Sequence, residues 1–338
     1  MSSDTERPDA ELLASLQRAG LLRDPTQARF VRLTGGVSSD IWQVTEQGRS
    51  ICVKRALSRL KVAAEWMAPV ERNRYEVAWF REAGRVLPQA VPQILHEDDE
   101  AMLCAMTFLD PAEHLLWKHE LRDGRVRIED ARAVGSVLGR IHAGTADRPD
   151  LAAVFPRADI FQAIRLEPYL EATATRHPDL HAQLFALSRR TAAIRRVLIH
   201  GDVSPKNILI GPHGPVMLDA ECACLGDPAF DLAFCLNHLL LKCLWHPPAT
   251  DALLASFAAL AQAYLAEVDW EPPAELEGRA ASLLPGLLLA RVDGKSPVEY
   301  LQAEADRNRV RRVARALLFN PPQRLAQVAA CWQQELAR

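Results

Sequence analysis

The chain has 338 residues, of which 49% are hydrophobic and 25% are charged. At roughly 150 residues per domain, this length predicts two domains or one domain with two lobes, and the composition excludes collagen-like, low-complexity and intrinsically disordered classes. The 40 Lys and Arg residues nearly balance the 43 Asp and Glu residues, which leaves a formal net charge of -3. Because no global basic field is available to hold phosphate backbones or anionic lipid, we expect neither nucleic acid nor a membrane as a partner.

The cysteines and the first residues bear on the cellular compartment. Seven cysteines are present, without a C-x-x-C pair, in a chain too large to need disulfides for its stability. The opening segment MSSDTERPDAELL carries acidic residues where a signal peptide would have a basic region and then an apolar one. The most apolar stretches are well short of the ~20 residues that span a membrane. We therefore expect reduced thiols and a cytoplasmic protein.

Strand patterns dominate the first third of the chain. Leucines at helical spacing predict a short amphipathic helix over residues 10–22. Short β-branched runs separated by glycines predict a three-stranded antiparallel meander over residues 29–55. A further helix is expected over about 70–85, followed by two strands at 94–97 and 101–108.

The remainder of the chain is predicted to be mainly helical. Helical periodicity is clear at 131–143, at 180–194 and in most of the chain after Pro228. No internal repeat and no low-complexity linker separates the two parts. Three short apolar, β-rich runs interrupt the helices and are predicted to frame a small sheet that supports loops; these runs are 197–199, 208–210 and 216–218.

The segment LIHGDVSPKNILIGPHGPVMLDAE, residues 198–221, carries the strongest chemical signal. A strand ends shortly before Asp202, Asn207 follows five residues later, and a second strand delivers Asp219 twelve residues after that. Phosphoryl transfer from a nucleotide needs a carboxylate that orients the acceptor hydroxyl, together with an amide oxygen and a carboxylate that hold magnesium. The spacing therefore predicts Asp202 as the catalytic base and Asn207 and Asp219 as metal ligands.

This loop resembles the H-G-D-x-x-x-x-N sequence of the aminoglycoside phosphotransferase and choline kinase branch of the protein-kinase-like fold. The following run GDPAFDLAF, residues 226–234, resembles that family's D-P-x-x-D-L-A sequence. The resemblance implies that Asp231 braces the catalytic loop through backbone hydrogen bonds and that Glu221 is a second acidic residue near the metals. His200 is expected to have a structural role in fixing the loop backbone.

The same resemblance implies an α+β fold with two lobes. The smaller lobe, residues 1–109, would contain an antiparallel sheet and bind the nucleotide, and the larger, mainly helical lobe, residues 110–338, would contain the catalytic and substrate sites. A strand-like hinge near residues 106–110 would join them. The adenine ring would lie against backbone groups around Phe108, with Met106 as the bulky residue behind it.

A Gly-rich turn in LTGGVSSDIWQV, residues 33–44, is predicted to contact the nucleotide. Glycines between two strands let backbone N–H groups approach phosphate oxygens closely. The candidate residues in this turn are Gly35, Gly36 and Ser38.

A lysine that ends the third strand, Lys54, resembles the kinase lysine that holds the α- and β-phosphates. Its carboxylate partner would come from the next helix, where Glu71 and Glu76 are available. We favour Glu76, because VKRALSRLKVAAEWMAPVERNRYEVAWF is similar to methylthioribose kinases, in which a tryptophan-containing loop and then R-x-x-x-E follow the lysine.

Three residues are candidates for contact with the substrate. Trp66 lies in a Pro-bounded loop after the lysine strand, where stacking on a substrate or nucleotide ring is the hypothesis. The basic run 307–315 keeps an apolar helical face, so a solvated helix is the favoured interpretation. Arg311 or Arg312 facing the substrate cleft is the alternative.

Together these residues predict a small-molecule kinase that uses ATP, with GTP as an alternative, and Mg²⁺. A polycationic aminoglycoside calls for an acidic cleft, whereas residues 292–315 mix both signs of charge, so a neutral sugar, a thiosugar or an amino alcohol fits at least as well. The resemblance ranks a methylthioribose-like sugar or similar alcohol first as the acceptor. An aminoglycoside phosphotransferase and a nucleotide-binding regulatory pseudokinase are the alternatives. The chain is expected to act as a monomer or a homodimer.

Overall fold

The N-terminal part of the fold is built on one five-stranded antiparallel sheet. The computed structural model describes residues 7–33, 39–56 and 72–338. The strand order is β1-β2-β3-β5-β4, so the predicted meander and both later strands are confirmed. The strands are β1 (Arg29–Arg32), β2 (Ser39–Glu46), β3 (Arg49–Ala56), β4 (Ile94–Asp98) and β5 (Leu103–Thr107).

Two helices pack against this sheet. Helix α1 (Ala10–Arg18) begins where the Asp9 side chain accepts a hydrogen bond from the Leu12 N–H at 3.0 Å. Its Leu12 and Leu16 lie in a small core with sheet residues such as Trp42. Helix α2 (Arg72–Val86) belongs instead to the large core of the molecule, which its Trp79 and Phe80 join. Helix α2 thereby ties the sheet to the helical part.

The C-terminal part is mainly helical, as predicted. A ten-residue π-helical segment (Gln162–Glu171) with an internal proline interrupts the α-helices. The α-helices are α3 (Trp117–Arg122), α4 (Ile128–Thr145), α5 (Leu151–Val154), α6 (Asp159–Phe161), α7 (Ala172–Arg176), α8 (His181–Ala193), α9 (Pro228–Trp245), α10 (Thr250–Leu265), α11 (Pro273–Asp293), α12 (Glu304–Phe319) and α13 (Leu325–Leu336).

Helix α9 is the centre of this part. Every residue from Pro228 to Leu244 is buried, as expected for a helix that is apolar on all sides and surrounded by protein. None of the helices in the described part of the chain is long and apolar enough to cross a membrane.

Helices α4 and α10 contact each other closely along a seam of two glycines. A Cβ atom added at Gly135 would lie 2.3 Å from the carbonyl oxygen of Leu260, and one at Gly139 would lie 3.0 Å from that of Tyr264. Because even a methyl group does not fit there, glycines at these two positions set the distance between the helices.

The three short strands predicted after residue 196 form as expected, but they belong to two sheets and not to one. Strand β7 (Val197–Ile199) pairs with β10 (Cys224–Gly226). Strands β8 (Ile208–Gly211) and β9 (Gly214–Met217) pair with each other, and β8 also pairs with β6 (Leu115–Leu116). The loop between β7 and β8 is thus held at each end by a different sheet.

Candidate functional site

The loop that follows β7 is anchored from below by a buried carboxylate. Asp231, in the first turn of α9, accepts hydrogen bonds from the backbone N–H groups of His200, at 2.7 Å, and Gly201, at 2.8 Å. His142 Nε2 lies 3.3 Å from the same carboxylate, and its Nδ1 lies 2.8 Å from the Tyr264 hydroxyl. Asp231 thus links the loop to α4 and α10, in the bracing position that the sequence predicted.

Gly201 is required by the path of the loop. Its φ is 77°, in the left-handed region that favours glycine. A Cβ atom there would also lie 2.8 Å from the backbone oxygen of Cys222. The tight turn brings the loop back toward the segment that carries Asp219.

His200 holds the two halves of the site together. Its Nδ1 accepts a hydrogen bond from the Asp202 N–H at 3.1 Å, so its Nε2 carries the proton and donates to the Leu218 carbonyl at 2.9 Å. Burial lowers the pKa of His200, which favours this neutral tautomer. The histidine therefore connects the backbone of the two segments, at Asp202 and at Leu218.

Asp202 is buried among cationic and amide donors. Its Oδ2 lies 2.7 Å from a guanidinium nitrogen of Arg165, 3.0 Å from Lys206 Nζ and 2.9 Å from Asn207 Nδ2. Burial raises the pKa of Asp202, but the charges of Arg165 and Lys206 outweigh it and hold the pKa below its usual value. The carboxylate is therefore ionised and fixed in orientation.

Asn207 and the segment before Asp219 are joined by a backbone hydrogen bond from the Leu218 N–H to the Asn207 carbonyl at 2.8 Å. Asn207 Nδ2 donates to both the backbone oxygen and Oδ2 of Asp202, which leaves Asn207 Oδ1 free to accept. Asp219 follows β9 in a left-handed backbone conformation, φ 64°, a strained geometry that is concentrated at functional sites. Its side chain is 30% exposed, so it is accessible to an ion.

Lys54 lies between two carboxylates that are far apart in the sequence. Its Nζ is 2.8 Å from Glu76 on α2 and 2.5 Å from Asp219. Burial raises the pKa of Glu76 to about 7 although Lys54 opposes the shift. The structure therefore brings the predicted lysine, helix glutamate and metal carboxylate together.

Glu221 is held by Arg72, the arginine of the R-x-x-x-E pattern, to which the sequence analysis assigned no role. Arg72 Nε lies 3.0 Å from Glu221 Oε2, and the Arg72 side chain is only 1% exposed. Arg72 and Glu76 are one turn apart on α2, so this helix contacts Glu221 directly through Arg72 and is linked to Asp219 only through Lys54, the partner of Glu76.

The oxygen atoms of Asp219, Glu221 and Asn207 are of the kind that binds magnesium. Among the residues that the structure describes, no three His, Cys, Asp or Glu side chains form a metal cluster by themselves. Mg²⁺ is usually held by one or two carboxylates, with water and substrate phosphates completing its six oxygen ligands. The carboxylates of Asp219 and Glu221 and the amide oxygen of Asn207 match that requirement.

Comparison with known proteins decides the family. The sequence profile described as "Phosphotransferase enzyme family" matches residues 29–276, most of the chain and all of the residues just described. The chain belongs to this family. The predicted resemblance to phosphotransferases of this kind is thereby confirmed.

Relatives of this phosphotransferase include methylthioribose kinases. That of Yersinia pseudotuberculosis serotype O:3 (strain YPIII) is 24% identical over 223 residues, which cover 57% of this chain and 53% of that protein. The chain therefore spans about half the length of this curated relative.

Solved structures confirm the two-lobed, kinase-like α+β fold of this phosphotransferase. Plasmodium vivax ethanolamine kinase superposes with a TM-score of 0.57 at 11% identity, covering 95% of this chain and 93% of that one. Choline kinase from Cryptosporidium parvum superposes with a TM-score of 0.56 at 13% identity, covering 98% of this chain and 100% of that one.

The residues predicted to bind nucleotide elsewhere are only partly described. Met106 lies buried on β5, opposite Cys52 of β3, and Phe108 follows that strand half-buried. Their contact with adenine stays a prediction. Other predicted residues lie outside the described part of the phosphotransferase; these are Gly35, Gly36, Ser38 and Trp66.

Arg311 and Arg312 are not brought to the catalytic loop by the described contacts. Arg311 pairs with Asp293 at 2.7 Å and with Glu304 at 2.5 Å. Arg312 pairs with Glu335 of α13 at 2.6 Å. These ion pairs agree with the solvated-helix interpretation, in which both arginines stabilise the C-terminal helices of the phosphotransferase.

Sequence reasoning missed two residues beside Asp202, the predicted catalytic carboxylate. Lys206 stands inside the H-G-D-x-x-x-x-N motif, and its position four residues after Asp202 was a usable signal. Arg165 lies in the π-helical segment, also donates to the Gly201 carbonyl at 2.7 Å, and is 8% exposed. No motif surrounds Arg165, so only the fold of the phosphotransferase could reveal it.

Proposed function

We propose that this chain transfers the γ-phosphoryl group of ATP to a hydroxyl of a small metabolite. One observation carries the proposal: an ionised, buried Asp202 is fixed beside Asn207, within a site that Asp219 joins to Lys54. Phosphoryl transfer requires mainly positioning and electrostatic stabilisation, and these side chains supply both.

Each residue has a distinct task in this proposal. Lys54, positioned by Glu76, would contact the α- and β-phosphates. Asp219, Asn207 and Glu221 would hold Mg²⁺, which would supply positive charge to offset that of the phosphates. His200 and Asp231 keep the loop in place through the backbone hydrogen bonds described above.

The transfer itself joins the acceptor oxygen to Pγ while the bond from Pγ to the β–γ bridging oxygen breaks and ADP leaves. The proton of the acceptor hydroxyl passes to the Asp202 carboxylate and then to solvent. A carboxylate of low pKa takes up this proton only late in the reaction, which fits the loose transition state of phosphoryl transfer. Asp202 therefore acts chiefly by orienting the hydroxyl.

A methylthioribose-like sugar or similar alcohol is the first candidate acceptor. The support comes from relatives that are named methylthioribose kinases. An aminoglycoside is the second candidate, and a regulatory pseudokinase is the alternative to any activity.

The test is magnesium-dependent ADP formation by the purified protein with sugars, thiosugars, amino alcohols and aminoglycosides, and with Asp202→Ala as the blank. Turnover above the blank with one acceptor class supports the kinase. Tight ATP binding with ADP formation equal to the blank for every acceptor would favour the pseudokinase.

A further inference from the structure

A small cationic cavity lies directly beside the catalytic loop. Its volume is about 40 Å³, and the loop contributes Pro205 and Lys206 to its wall. Since Lys206 Nζ is also 3.0 Å from Asp202 Oδ2, one side chain connects the cavity to the catalytic carboxylate. The other lining residues are Lys118, His238, Lys242, Arg291, Glu299 and Tyr300.

The charge of this cavity is one-sided. Four of its lining residues are Lys or Arg, whereas Glu299 is its single carboxylate and is paired with Lys118 at 2.5 Å. Asp202 likewise already has Arg165 and Lys206 as partners. The two remaining cations, Lys242 and Arg291, therefore have no paired carboxylate among the described residues.

Lys242 is the most unusual of these cations. Its side chain on α9 is 1% exposed, and its Nζ lies 4.3 Å from the ring centroid of Trp245 and 4.7 Å from that of Tyr300. Among the described residues no carboxylate lies within ion-pairing distance of it. Aromatic faces compensate only part of the cost of burying a charge. Burial and the neighbouring charge of Lys118 lower the pKa of Lys242 to about 7.

Two further polar groups at the cavity lack partners in the described part of the chain. Arg291 donates through Nη1 to the Tyr169 hydroxyl at 3.1 Å and to the Ser296 carbonyl at 2.6 Å, but its buried Nε has no acceptor. The buried hydroxyl of Tyr300 has no partner either. Buried polar groups are nearly always hydrogen-bonded, so unpaired donors around one cavity indicate a missing acceptor.

Resting on the proposed kinase function, but replacing the neutral sugar that the relatives' names suggest, we propose that the acceptor is a hydroxy acid whose carboxylate occupies this cavity, against Lys242 and Arg291, while its hydroxyl lies at Asp202. A planar carboxylate suits this space of about 40 Å³, since about 10 to 15 Å³ of such volume is enough to hold one water molecule. An ammonium group would meet uncompensated positive charge in the same place. The subsite thus selects acidic alcohols over neutral ones and rejects amino alcohols and aminoglycosides.

The test compares matched acceptors that differ in one group. Glycerate, glycerol and 3-amino-1,2-propanediol form one set, gluconate, glucitol and 1-amino-1-deoxyglucitol form a larger one, and glycerol 3-phosphate is the phosphate analogue. Measuring kcat/KM for each with saturating MgATP gives the ratio of acid to neutral acceptor. We expect that ratio to exceed ten, since a charged hydrogen-bonded group contributes at least about tenfold in affinity.

Variants assign the preference to the cavity. Lys242→Met keeps the length of the side chain and removes its charge, and it should lower the acid-to-neutral ratio by about tenfold to a hundredfold. Tyr300→Phe removes one unpaired donor and should lower the ratio severalfold. The matched control Lys295→Met removes a half-exposed lysine that pairs with Glu167, and should leave the ratio unchanged.

The outcomes separate this subsite from the kinase proposal itself. Preference for a neutral, amino or phosphorylated acceptor, with a ratio that Lys242→Met does not change, overturns the subsite and leaves the kinase standing. If no acceptor is phosphorylated, the kinase proposal fails, and calorimetry with gluconate decides the subsite. Binding that is lost in Lys242→Met but kept in Lys295→Met supports the subsite, and absence of binding overturns it.

Discussion

The guanidinium of Arg165 lies 2.7 Å from Oδ2 of Asp202, and both side chains are buried. This contact explains why the proposed base is ionised despite its burial. The contact also separates two functions of the carboxylate. Its low pKa makes it a weak base for taking up a proton, whereas its fixed position makes it a good acceptor of a hydrogen bond from the substrate hydroxyl.

Removing the guanidinium should therefore move the pH dependence of the reaction. In Arg165→Met, burial dominates and raises the pKa of Asp202, so the acid limb of kcat/KM should shift to higher pH by about one to three units. The check is a pH profile for both proteins. Arg157→Met, which removes a surface arginine that is 75% exposed, is the control. An acid limb that stays in place in Arg165→Met would show that Asp202 does not control it.

Neutralising Asp202 should affect turnover and not nucleotide binding. Asp202→Asn keeps the shape of the side chain but cannot orient and accept the hydroxyl proton, so kcat should fall by about 10² to 10⁴. ATP affinity, measured by calorimetry, should stay close to that of the unmodified protein because Lys54 and Asp219 are intact. Lost ATP affinity with unchanged kcat would contradict the assigned role.

Arg72 should influence magnesium through Glu221. The arginine holds Glu221 Oε2 at 3.0 Å, and losing a group that orients a metal ligand typically costs 10- to 100-fold in metal affinity. We expect Arg72→Met to raise the Mg²⁺ concentration for half-maximal activity by about tenfold. The control is Arg81→Met on the same helix, whose guanidinium pairs with Glu97 and is half-exposed. Equal magnesium curves for all three proteins would remove Glu221 from the metal site.

Lys242 should give protein stability a specific pH dependence. Its pKa is about 7 in the folded chain and about 10.4 when unfolded, so between these values the unfolded state binds a proton that the folded state lacks. Stability then rises with pH across this window, by at most about 1.4 kcal/mol per pH unit. Denaturant unfolding of the unmodified protein and Lys242→Met from pH 7 to 10 isolates the effect, since Lys118, Arg291 and Glu299 are common to both.

The matched variant Lys295→Met should show no such difference in slope. If the difference between the unmodified protein and Lys242→Met is flat across the window, Lys242 keeps an ordinary pKa. The surroundings of Lys242 in the cavity would then stabilise its positive charge as well as water does.

Local patterns in the sequence predicted much of the fold. Alternating and helical periodicities placed β1–β5 and most of the larger helices, because each such pattern is complete within one segment. The pairing of β7 with β10 was not foreseen, since strand partners depend on how distant segments meet. Strand β6 has only two residues, too few to carry a pattern.

The residues of the candidate site likewise fall into those that local sequence patterns predicted and those that they did not. Asp202 and Asn207 contact each other within one loop, so their spacing alone indicated a shared site. Lys54 and Asp219 are separated by 165 positions, and only resemblance to known kinases connected them. Neither local spacing nor resemblance pointed to Arg165 or Lys242, because their roles depend on burial beside groups that are remote in sequence.

The glycine seam between α4 and α10 has a consequence for the reaction. Both helices carry the chain of contacts that reaches the catalytic loop, since α10 supplies Tyr264 and α4 supplies His142, which meets Asp231. The distance between the two helix backbones therefore helps to set the position of the loop that Asp231 anchors. One methyl group at Gly135 would increase the distance between α4 and α10. A Gly135→Ala chain that folds but keeps full kcat would show that the loop tolerates the change. A loss of kcat in that variant would show that a helix crossing remote from the proposed substrate sites influences the proposed phosphoryl transfer.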